Sequence, residues 1–393
     1  MSAERSFSKE VESLRLGDGE VFHGEGILAV TKGLLQSGVA YVGGYQGAPV
    51  SHLLDVLLDA EELMDEMGVH VETGANEAAA AAMLGASINY PLRGAVGWKS
   101  IVGTNVAADA LSNLASPGVI GGALIISGED YGEGGSIIQE RTLAMAMKSS
   151  MWMVDPRPNL TSIVDTVEKS FELSEASNTP VIMQLRIRAC HVQGRFTAKN
   201  NKKPPINTRE RQKDPAPFNY GRLAHPPLTF VQEKLKVDKR LPAAQKYIRD
   251  NNVNEFFDGD IERLGIIVPG GLYNTLIRRL ARLGLADDFG NSKIPIMVLN
   301  VIYPLVPEQV TEFAAGKDAV LIVEEGNPEY LEHQLNAILR RADIQTRIHG
   351  KDVFPMAGEY NGATMHQGLM GFIEAEGLGI GDPEHIRSEA NRI

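Results

Sequence analysis

Short apolar runs alternate with segments of helical periodicity along most of this chain, and this alternation constrains the fold more than any other feature. Between residues 16 and 195, runs of four to eight mostly apolar residues are followed by stretches with the spacing of an amphipathic helix. The clearest strand-like runs are VAYVGGY, HVETG, RGAVGW, GGALIIS and PVIMQLRIR. Strands that alternate with helices form βα units and a parallel sheet. The sequence therefore predicts an α/β fold.

A basic, proline-rich segment divides the chain into two such regions. Residues 196–250 hold 13 Lys and Arg against five Asp and Glu, and six prolines lie between Pro204 and Pro227. Proline at this density removes backbone donors and blocks regular helix, so we expect an extended connector, of which only the later part, residues 228–252, is partly helical. It lies along a domain or a partner chain, or it is a solvated linker. The predicted boundaries are 16–195 for the first domain, 196–260 for the connector, 261–355 for a second parallel-sheet domain and 356–393 for a tail with one helix.

Composition excludes several classes of protein. The net charge of −12 argues against a nucleic-acid-binding surface. A single cysteine, Cys190, excludes an internal disulfide, an Fe–S cluster and a thiolate zinc site built from this chain alone, and we predict no metal site in it. His191 beside it is interpreted as structural. No run of 18 apolar residues occurs and the amino terminus is polar, so we expect no membrane span and a cytoplasmic location.

Ligands of open parallel sheets bind beyond the carboxyl ends of the strands. Three loops of the first domain occupy such positions, at residues 46–49, 76–77 and 128–131. Glycines in the first and third allow the backbone to approach a ligand closely. The sequence therefore predicts the functional site at this edge.

Glu77 is the candidate functional residue of the second loop. It begins a helix whose next five residues are alanines, so it projects from a narrow surface that a neighbour can approach closely. Two interpretations remain open. The helix dipole stabilises an acidic residue in the first turn, or the carboxylate is placed in a packed interface to share a proton with a ligand nitrogen.

The loops in series resemble a known family. The relevant segments are GYQGAP (44–49), NEAAAAAMLGAS (76–87), 97–130, QER (139–141), YPLVPEQV (303–310), VLIVEEGNPEYLEHQL (320–335) and RIHGKDVFPMAGEY (347–360). Together they resemble the 2-oxoacid:acceptor oxidoreductases, and most of all the large subunit of indolepyruvate:ferredoxin oxidoreductase. The resemblance implies a pyrimidine-binding domain for thiamine diphosphate, joined by the basic connector to a transketolase C-terminal-like domain.

The resemblance also implies which residues hold the cofactor. Glu77 would match the glutamate that hydrogen-bonds the aminopyrimidine ring nitrogen. If the alignment with the family is shifted, Asn76 or Glu72 would take that place. The cofactor-binding residues it implies are Gly44, Tyr45, Gln46, Gly47, Ala48, Pro49, Asn76, Glu77 and Asn105.

The diphosphate half of such a site is missing from this chain. The family's GDG motif precedes an asparagine by roughly 25–30 residues, whereas here GDG occurs at 17–19 and the first asparagine is Asn76. GDG is therefore predicted to be a turn. By the resemblance, one partner subunit would carry the diphosphate- and Mg²⁺-binding domain and a ferredoxin-like Fe–S subunit the 4Fe–4S clusters, in a hetero-oligomer that shares the cofactor.

The implied reaction is oxidative decarboxylation of an aryl 2-oxo acid with coenzyme A, giving acyl-CoA, CO₂ and a reduced acceptor. Lys99 and Arg141 are candidates for binding the substrate carboxylate. Lys99 can equally be interpreted as a surface lysine without such a role. The family's Tyr-Pro-Gly-Thr-Pro is replaced by residues 45–49, so Ala48 lacks a hydroxyl, and Ser100 is a further departure. Two alternatives remain: a scaffold that no longer binds cofactor, and a non-oxidative decarboxylase.

Overall fold

The first half of the chain folds around a parallel sheet, as the alternation predicts. The computed structural model describes residues 5–131, 138–206 and 219–379. The strands of this half are β1 (Val21–Glu25), β2 (Tyr41–Gly44), β3 (His70–Thr73), β4 (Gly94–Lys99), β5 (Ala123–Gly128), β6 (Trp152–Val154), β7 (Val181–Leu185) and β8 (Gln193–Thr197). The helices are α1 (Gly26–Gln36), α2 (Ser51–Asp59), α3 (Glu61–Met67), α4 (Glu77–Met83), α5 (Ala86–Asn89), α6 (Val102–Val106), α7 (Ala108–Ala115), α8 (Thr142–Ser149), α9 (Leu160–Ser177) and α10 (Ile187–His191).

The second half repeats the pattern on a smaller scale. Its helices are α11 (Leu228–Leu235), α12 (Leu241–Asp250), α13 (Tyr273–Arg282), α14 (Pro307–Ala314), α15 (Tyr330–Arg341) and α16 (Gly362–Ala375). Its strands are β9 (Glu255–Phe257), β10 (Leu264–Pro269), β11 (Ile296–Leu299), β12 (Val301–Tyr303), β13 (Ala319–Ile322) and β14 (Arg347–His349). The parallel sheets confirm the α/β class.

Two larger sheets and one ribbon result. The first sheet has the order β12-β6-β7-β5-β4-β2-β3 and is parallel except for β12, which runs antiparallel to β6. The second has the order β14-β13-β10-β11-β9, with β9 antiparallel at its edge. β1 and β8 pair as an antiparallel ribbon that brings the start of the first half to its end. The carboxyl ends of the central parallel strands form the edge at which the sequence predicts a site.

Asn300 marks the point where the chain leaves the second sheet and enters the first. The run IPIMVLN, predicted as one strand, ends as β11 in the second sheet, and β12 begins directly after Asn300 in the first. The Asn300 side-chain amide donates to Val253 O and Glu255 Oε2, both at 2.9 Å, and the backbone carbonyl of Asn300 accepts from Asp155 N at 2.9 Å. One short segment of chain therefore contributes a strand to each of the two sheets and connects them.

The hydrophobic core is also continuous between the halves. Val96 and Trp98 of β4 belong to the same buried cluster as Ile267 of β10, Leu299 of β11 and Ile322 of β13. All five side chains are almost inaccessible to solvent. This shared core fixes the position of one carboxyl edge relative to the other.

Several elements differ from the sequence prediction in detail. The segment 50–68, which has the spacing of one amphipathic helix, is broken at Ala60 into α2 and α3. GDG at 17–19 is a turn, as expected, although it precedes β1 and not α1 directly. The later part of the connector is helical, as predicted, and consists of α11 and α12 joined by one π-helical turn. Its residues 207–218 and tail residues 380–393 lie outside the described part, and the domain boundaries stay predictions.

No helix among the described residues is both long and apolar enough to cross a membrane.

Lys32 fastens the amino-terminal segment to α1. The side chain is fully buried, and its ammonium donates to Leu14 O at 3.1 Å, to Leu16 O and to Asn201 Oδ1 at 2.7 Å. Burial lowers the pKa of Lys32 to about 8, so most of the side chain is still protonated at pH 7. Three acceptors from two distant parts of the chain thus share one donor group, and Asn201 Nδ2 also donates to Leu14 O at 2.9 Å.

Replacing Lys32 with Met should lower the free energy of unfolding by about 1–3 kcal/mol, because buried acceptors lose their donor. Urea unfolding at pH 7 measures this. The exposed Lys239, changed to Met in the same way, should shift the free energy by less than about 0.5 kcal/mol. Equal changes in the free energy of unfolding for the two substitutions would show that the hydrogen bonds of Lys32 do not stabilise the fold.

Candidate functional site

Adjacent strands bring the predicted loops to one edge of the first sheet. Gly44 is paired with Gly97, and Lys99 with Gly128, at the carboxyl ends of β2, β4 and β5. Tyr45 N donates to Gly97 O at 2.9 Å. At Gly44, where φ is +157°, a Cβ atom would lie 2.2 Å from Gly97 O, so only glycine allows this approach.

The loop at 45–49 lies against Lys99 and remains accessible. A Cβ atom on Gly47 would lie 2.5 Å from Lys99 Cβ, and Lys99 Nζ donates to Ala48 O at 3.0 Å. The Tyr45 side chain and Ala48 are exposed, whereas Pro49 is buried. A ligand at this edge would meet the exposed backbone and side chains of the loop, and Lys99 is already engaged with it.

Glu77 is a largely buried acidic residue whose carboxylate has no partner among the described residues. Asn76 caps the helix, its Oδ1 accepting from Ala79 N at 2.9 Å, and Glu77 follows as the first residue of α4. Only 7% of Glu77 is exposed, and its Cγ lies beside Gly103 together with the Trp98 ring. Within the described residues no hydrogen bond or ion pair reaches its carboxylate. Glu72, which would replace Glu77 if the alignment with the family were shifted, is exposed, and its carboxylate lies 2.9 Å from the His70 ring nitrogen.

A chain of hydroxyl groups connects the wall beside Glu77 with the start of α8. Trp98 Nε1 donates to Thr104 Oγ1 at 3.2 Å, Thr104 Oγ1 lies 3.1 Å from Ser100 Oγ, and Ser100 Oγ bonds Thr142 Oγ1. Ser100, a departure from the family motif, is thus a buried link of this chain. Nearby, the exposed Asn105 donates to Glu140 Oε2 at 3.1 Å.

Arg141 has unused donors at the boundary between the halves. Its guanidinium lies 3.9 Å from the centre of the Tyr131 ring, and Nε and Nη1 are buried with no hydrogen-bond partner in the part of the chain described. A Cβ atom on Gly326 would lie 0.9 Å from Arg141 Nη2, so the second half closes over the guanidinium. Arg141 also lines a cavity of about 360 Å³ with Asn105 and Lys148. Free donors beside a cavity suit an anionic ligand.

A buried ionic cluster that sequence reasoning missed lies next to Arg141. Arg186 pairs with Glu325 of the second half and lies 3.6 Å from Asp155 Oδ2, while Tyr131 donates to Glu129 Oε1 at 2.7 Å. Glu129, Asp155 and Arg186 each come directly after a buried strand. A charged residue immediately after an apolar run is the signal that could have identified them.

The cluster borders a cavity of about 340 Å³ between the two halves. Ala48, Tyr131 and Arg186 line it from the first half, and Glu325 and Tyr360 from the second. The loop at 45–49, through Ala48, and the ionic cluster therefore face a common space.

Burial perturbs the acids of this cluster. It raises the pKa of Asp155 to about 6, although the Arg186 charge acts in the opposite direction. Burial also raises the pKa of Glu129, opposed by hydrogen bonds from Thr142 and Tyr131. Both carboxyl groups thus hold a proton more tightly than they would in water.

Asp155→Asn should stabilise the chain at pH 7 but not at pH 4. Because the pKa of Asp155 is raised from 3.8 to about 6, the folded state binds more protons between these values, and stability falls as pH rises. Asparagine resembles the protonated form, so the variant should gain about 2–3 kcal/mol at pH 7. Urea unfolding at both pH values tests this, with exposed Asp260→Asn as control; a gain independent of pH would contradict it.

Comparisons with known proteins agree with this architecture. Residues 252–364 match the family model of the indolepyruvate ferredoxin oxidoreductase middle domain. Indolepyruvate oxidoreductase subunit IorA of Methanothermobacter marburgensis is 27% identical over 91% of this chain and 55% of its own length. The IorA of Archaeoglobus fulgidus is 26% identical over 97% of this chain and 58% of its own length. The chain thus spans about half the length of the curated relatives it matches.

Solved structures share the fold at low identity. The 2-oxoglutarate:ferredoxin oxidoreductase from Magnetococcus marinus, with 2-oxoglutarate, coenzyme A and succinyl-CoA bound, has a TM-score of 0.60 and 16% identity, covering 84% of this chain and 62% of that one. A split gene transketolase, an inactive beta4 tetramer, has a TM-score of 0.52 and 13% identity, covering 88% and 98%. The resemblance found in the sequence is confirmed: over most of its length, this chain is similar to indolepyruvate oxidoreductase subunit IorA.

Proposed function

We propose that the chain is a subunit of a thiamine-diphosphate-dependent 2-oxoacid:ferredoxin oxidoreductase and contributes the pyrimidine-binding half of the active site. The observation that carries this proposal is Glu77: only 7% of the residue is exposed, and its carboxylate has no partner among the described residues. An unpaired buried polar group costs free energy, and a carboxylate costs the most. A ligand donor would remove that cost.

The residues around Glu77 fit an aminopyrimidine ring. Glu77 would accept a hydrogen bond from the protonated ring nitrogen and hold the proton there. The wall of Trp98 and Gly103 excludes water on one side, which strengthens that bond. The loop 44–49, which is exposed at Tyr45 and Ala48, and the amide of Asn105 would contact the cofactor from neighbouring elements, while the Asn76 side chain positions Glu77 by capping α4. When bound, the cofactor supplies the nucleophile and stores the electron pair released on decarboxylation.

Arg141 is the better candidate for the carboxylate of the 2-oxo acid. Its Nε and Nη1 donors are buried and unused within the described residues, whereas Lys99 Nζ already donates to Ala48 O. A guanidinium also matches a carboxylate in two parallel hydrogen bonds. Arg141 would thus bind and orient the substrate, and Lys99 would hold the loop at 45–49.

The rest of the catalytic assembly would come from partner chains. Cys190 is buried, and burial raises the pKa of its thiol well above the usual value, so it is poorly suited to metal ligation. We propose that partner subunits supply Mg²⁺, the diphosphate site and 4Fe–4S clusters. An aryl 2-oxo acid and coenzyme A are the proposed substrates, in the cytoplasm.

Glu77→Gln should reduce turnover of the assembled complex by a factor of about 100 or more, because an amide cannot hold the proton as a carboxylate does. Assembly should be unchanged. The matched control is Glu61→Gln, an exposed residue that also begins a helix. If Glu77 only complements the helix dipole, the two variants will behave alike, which would reject its proposed role.

Arg141→Met should lower kcat/KM for the 2-oxo acid by about 10- to 100-fold, the value of one or two charged hydrogen bonds. Most of the change should appear in KM. Lys148→Met, which lines the same cavity, should change kcat/KM by less than about threefold. Steady-state kinetics with varied 2-oxo acid measures both variants, and equal losses would remove Arg141 from substrate binding.

Purification of the native complex tests the proposal as a whole. We expect thiamine diphosphate, iron and a cysteine-rich chain to purify with this one. Thiamine diphosphate without iron would identify a non-oxidative decarboxylase. Partners without either component would identify a scaffold subunit.

A further inference from the structure

Two histidines and a glutamate meet on the first half, away from Glu77. Glu25 is the last residue of β1, His52 lies in the first turn of α2, and His191 ends α10. One ligand atom from each lies within 4.8 Å of the other two. Their elements are far apart in sequence, so only the folded chain brings them together, and for this reason the sequence predicted no metal site.

The burial of the three residues suits a ligand that is open to solvent on one side. Glu25 is 4% exposed, His52 is half-buried and His191 is exposed. His52 Nδ1 is buried and has no hydrogen-bond partner among the residues described. The His52 and His191 rings meet edge to face at 5.6 Å, and neither imidazole has a hydrogen-bond or ion-pair partner in that same part of the chain. Their ring nitrogens are therefore available as ligands.

We propose that Glu25, His52 and His191 bind a divalent transition-metal ion of the zinc class. Two imidazoles and one carboxylate form a known zinc ligand set, which leaves a coordination position for water on the exposed side. With bonds of about 2.0–2.2 Å, tetrahedral ligand atoms are roughly 3.4 Å apart. The three atoms must approach one another by roughly 1.4 Å at most, and rotations of the half-buried His52 and the exposed His191 side chains provide this movement.

The positive charge of Arg5 disfavours metal binding at this site, and this effect can be tested. Its Nη1 donates to both carboxylate oxygens of Glu25, at 2.9 and 3.1 Å, and Gln193 Nε2 donates to Glu25 Oε2 at 3.3 Å. A carboxylate has about four lone-pair positions, so capacity for a metal ion remains. The Arg5 charge nevertheless repels a cation at this distance. Removing that charge should strengthen metal binding.

A bound ion would connect two parts of the candidate active site. His52 follows the loop at 45–49 by three residues, and α10 carries Ile187 and Arg188, which line the cavity between the two halves. The ion would fix α2 against α10 and thereby limit movement of that loop. Its role would be structural, separate from the cofactor metal that we expect on a partner chain.

Zinc titration of the untagged full-length chain, followed by isothermal calorimetry, tests the site. We expect one Zn²⁺ per chain with a Kd in the micromolar range or below. His191→Ala and His52→Gln should each weaken binding by about tenfold or more, since each removes a ligand. His70→Ala is the matched control, because His70 also lies beside a glutamate but outside this cluster, and it should leave the Kd unchanged.

The Arg5→Gln variant distinguishes the loss of a metal ligand from misfolding, which could also weaken zinc binding in the histidine variants. The proposal expects this substitution to tighten zinc binding by about threefold or more, a gain that a folding defect cannot produce. Absence of binding at 100 μM zinc, where a site of about micromolar Kd would be almost fully occupied, would overturn the proposal. Equal affinity of the wild-type chain and the His191→Ala variant would also overturn it.

Discussion

Antiparallel pairing of β12 with β6 is the interaction on which the rest of the architecture depends. It adds a strand from the second half to the edge of the first sheet, directly after β11 has ended in the second sheet. Asn300 at the crossing satisfies backbone and side-chain groups of both halves. With this segment fixed, the carboxyl edges of the two sheets face each other, and the side chains beyond them share the cavities between the halves.

Those side chains include more buried charge than a stable core requires. Arg186 compensates Glu325 and Asp155, yet the pKa of Asp155 is still raised by burial. Burying an ion pair rarely gains stability over an apolar core, so such clusters often mark function. Within the described residues, the same holds for the unused donors of Arg141 at this boundary and for the unpartnered carboxylate of Glu77 in the first half. Partly satisfied groups at this boundary are the physical reason for placing ligands there.

The sequence predicted the local features and missed those that depend on distant contacts. The alternation of apolar runs and helices was sufficient for the α/β class, and the alanine run after Glu77 was sufficient to expect close packing there. The pairing of β12 with β6 could not be predicted, because strand partners separated by almost 150 residues leave no local pattern. The contact of Arg186 with Glu325 and the meeting of Glu25 with His191 depend on the same kind of long-range folding. Ala60, which separates two helices, has no helix-breaking sequence signal.

The crossing at Asn300 also has a consequence for motion. Domains joined only by a flexible linker open and close by rotation about a hinge. Here β11 and β12 are separated by one residue, and each is hydrogen-bonded into a different sheet. Rotation of one half against the other would have to break strand pairing on one side of that residue. Access to the cavities between the halves would therefore depend on side chains and surface loops, and the chain would act as a rigid frame against which a partner closes.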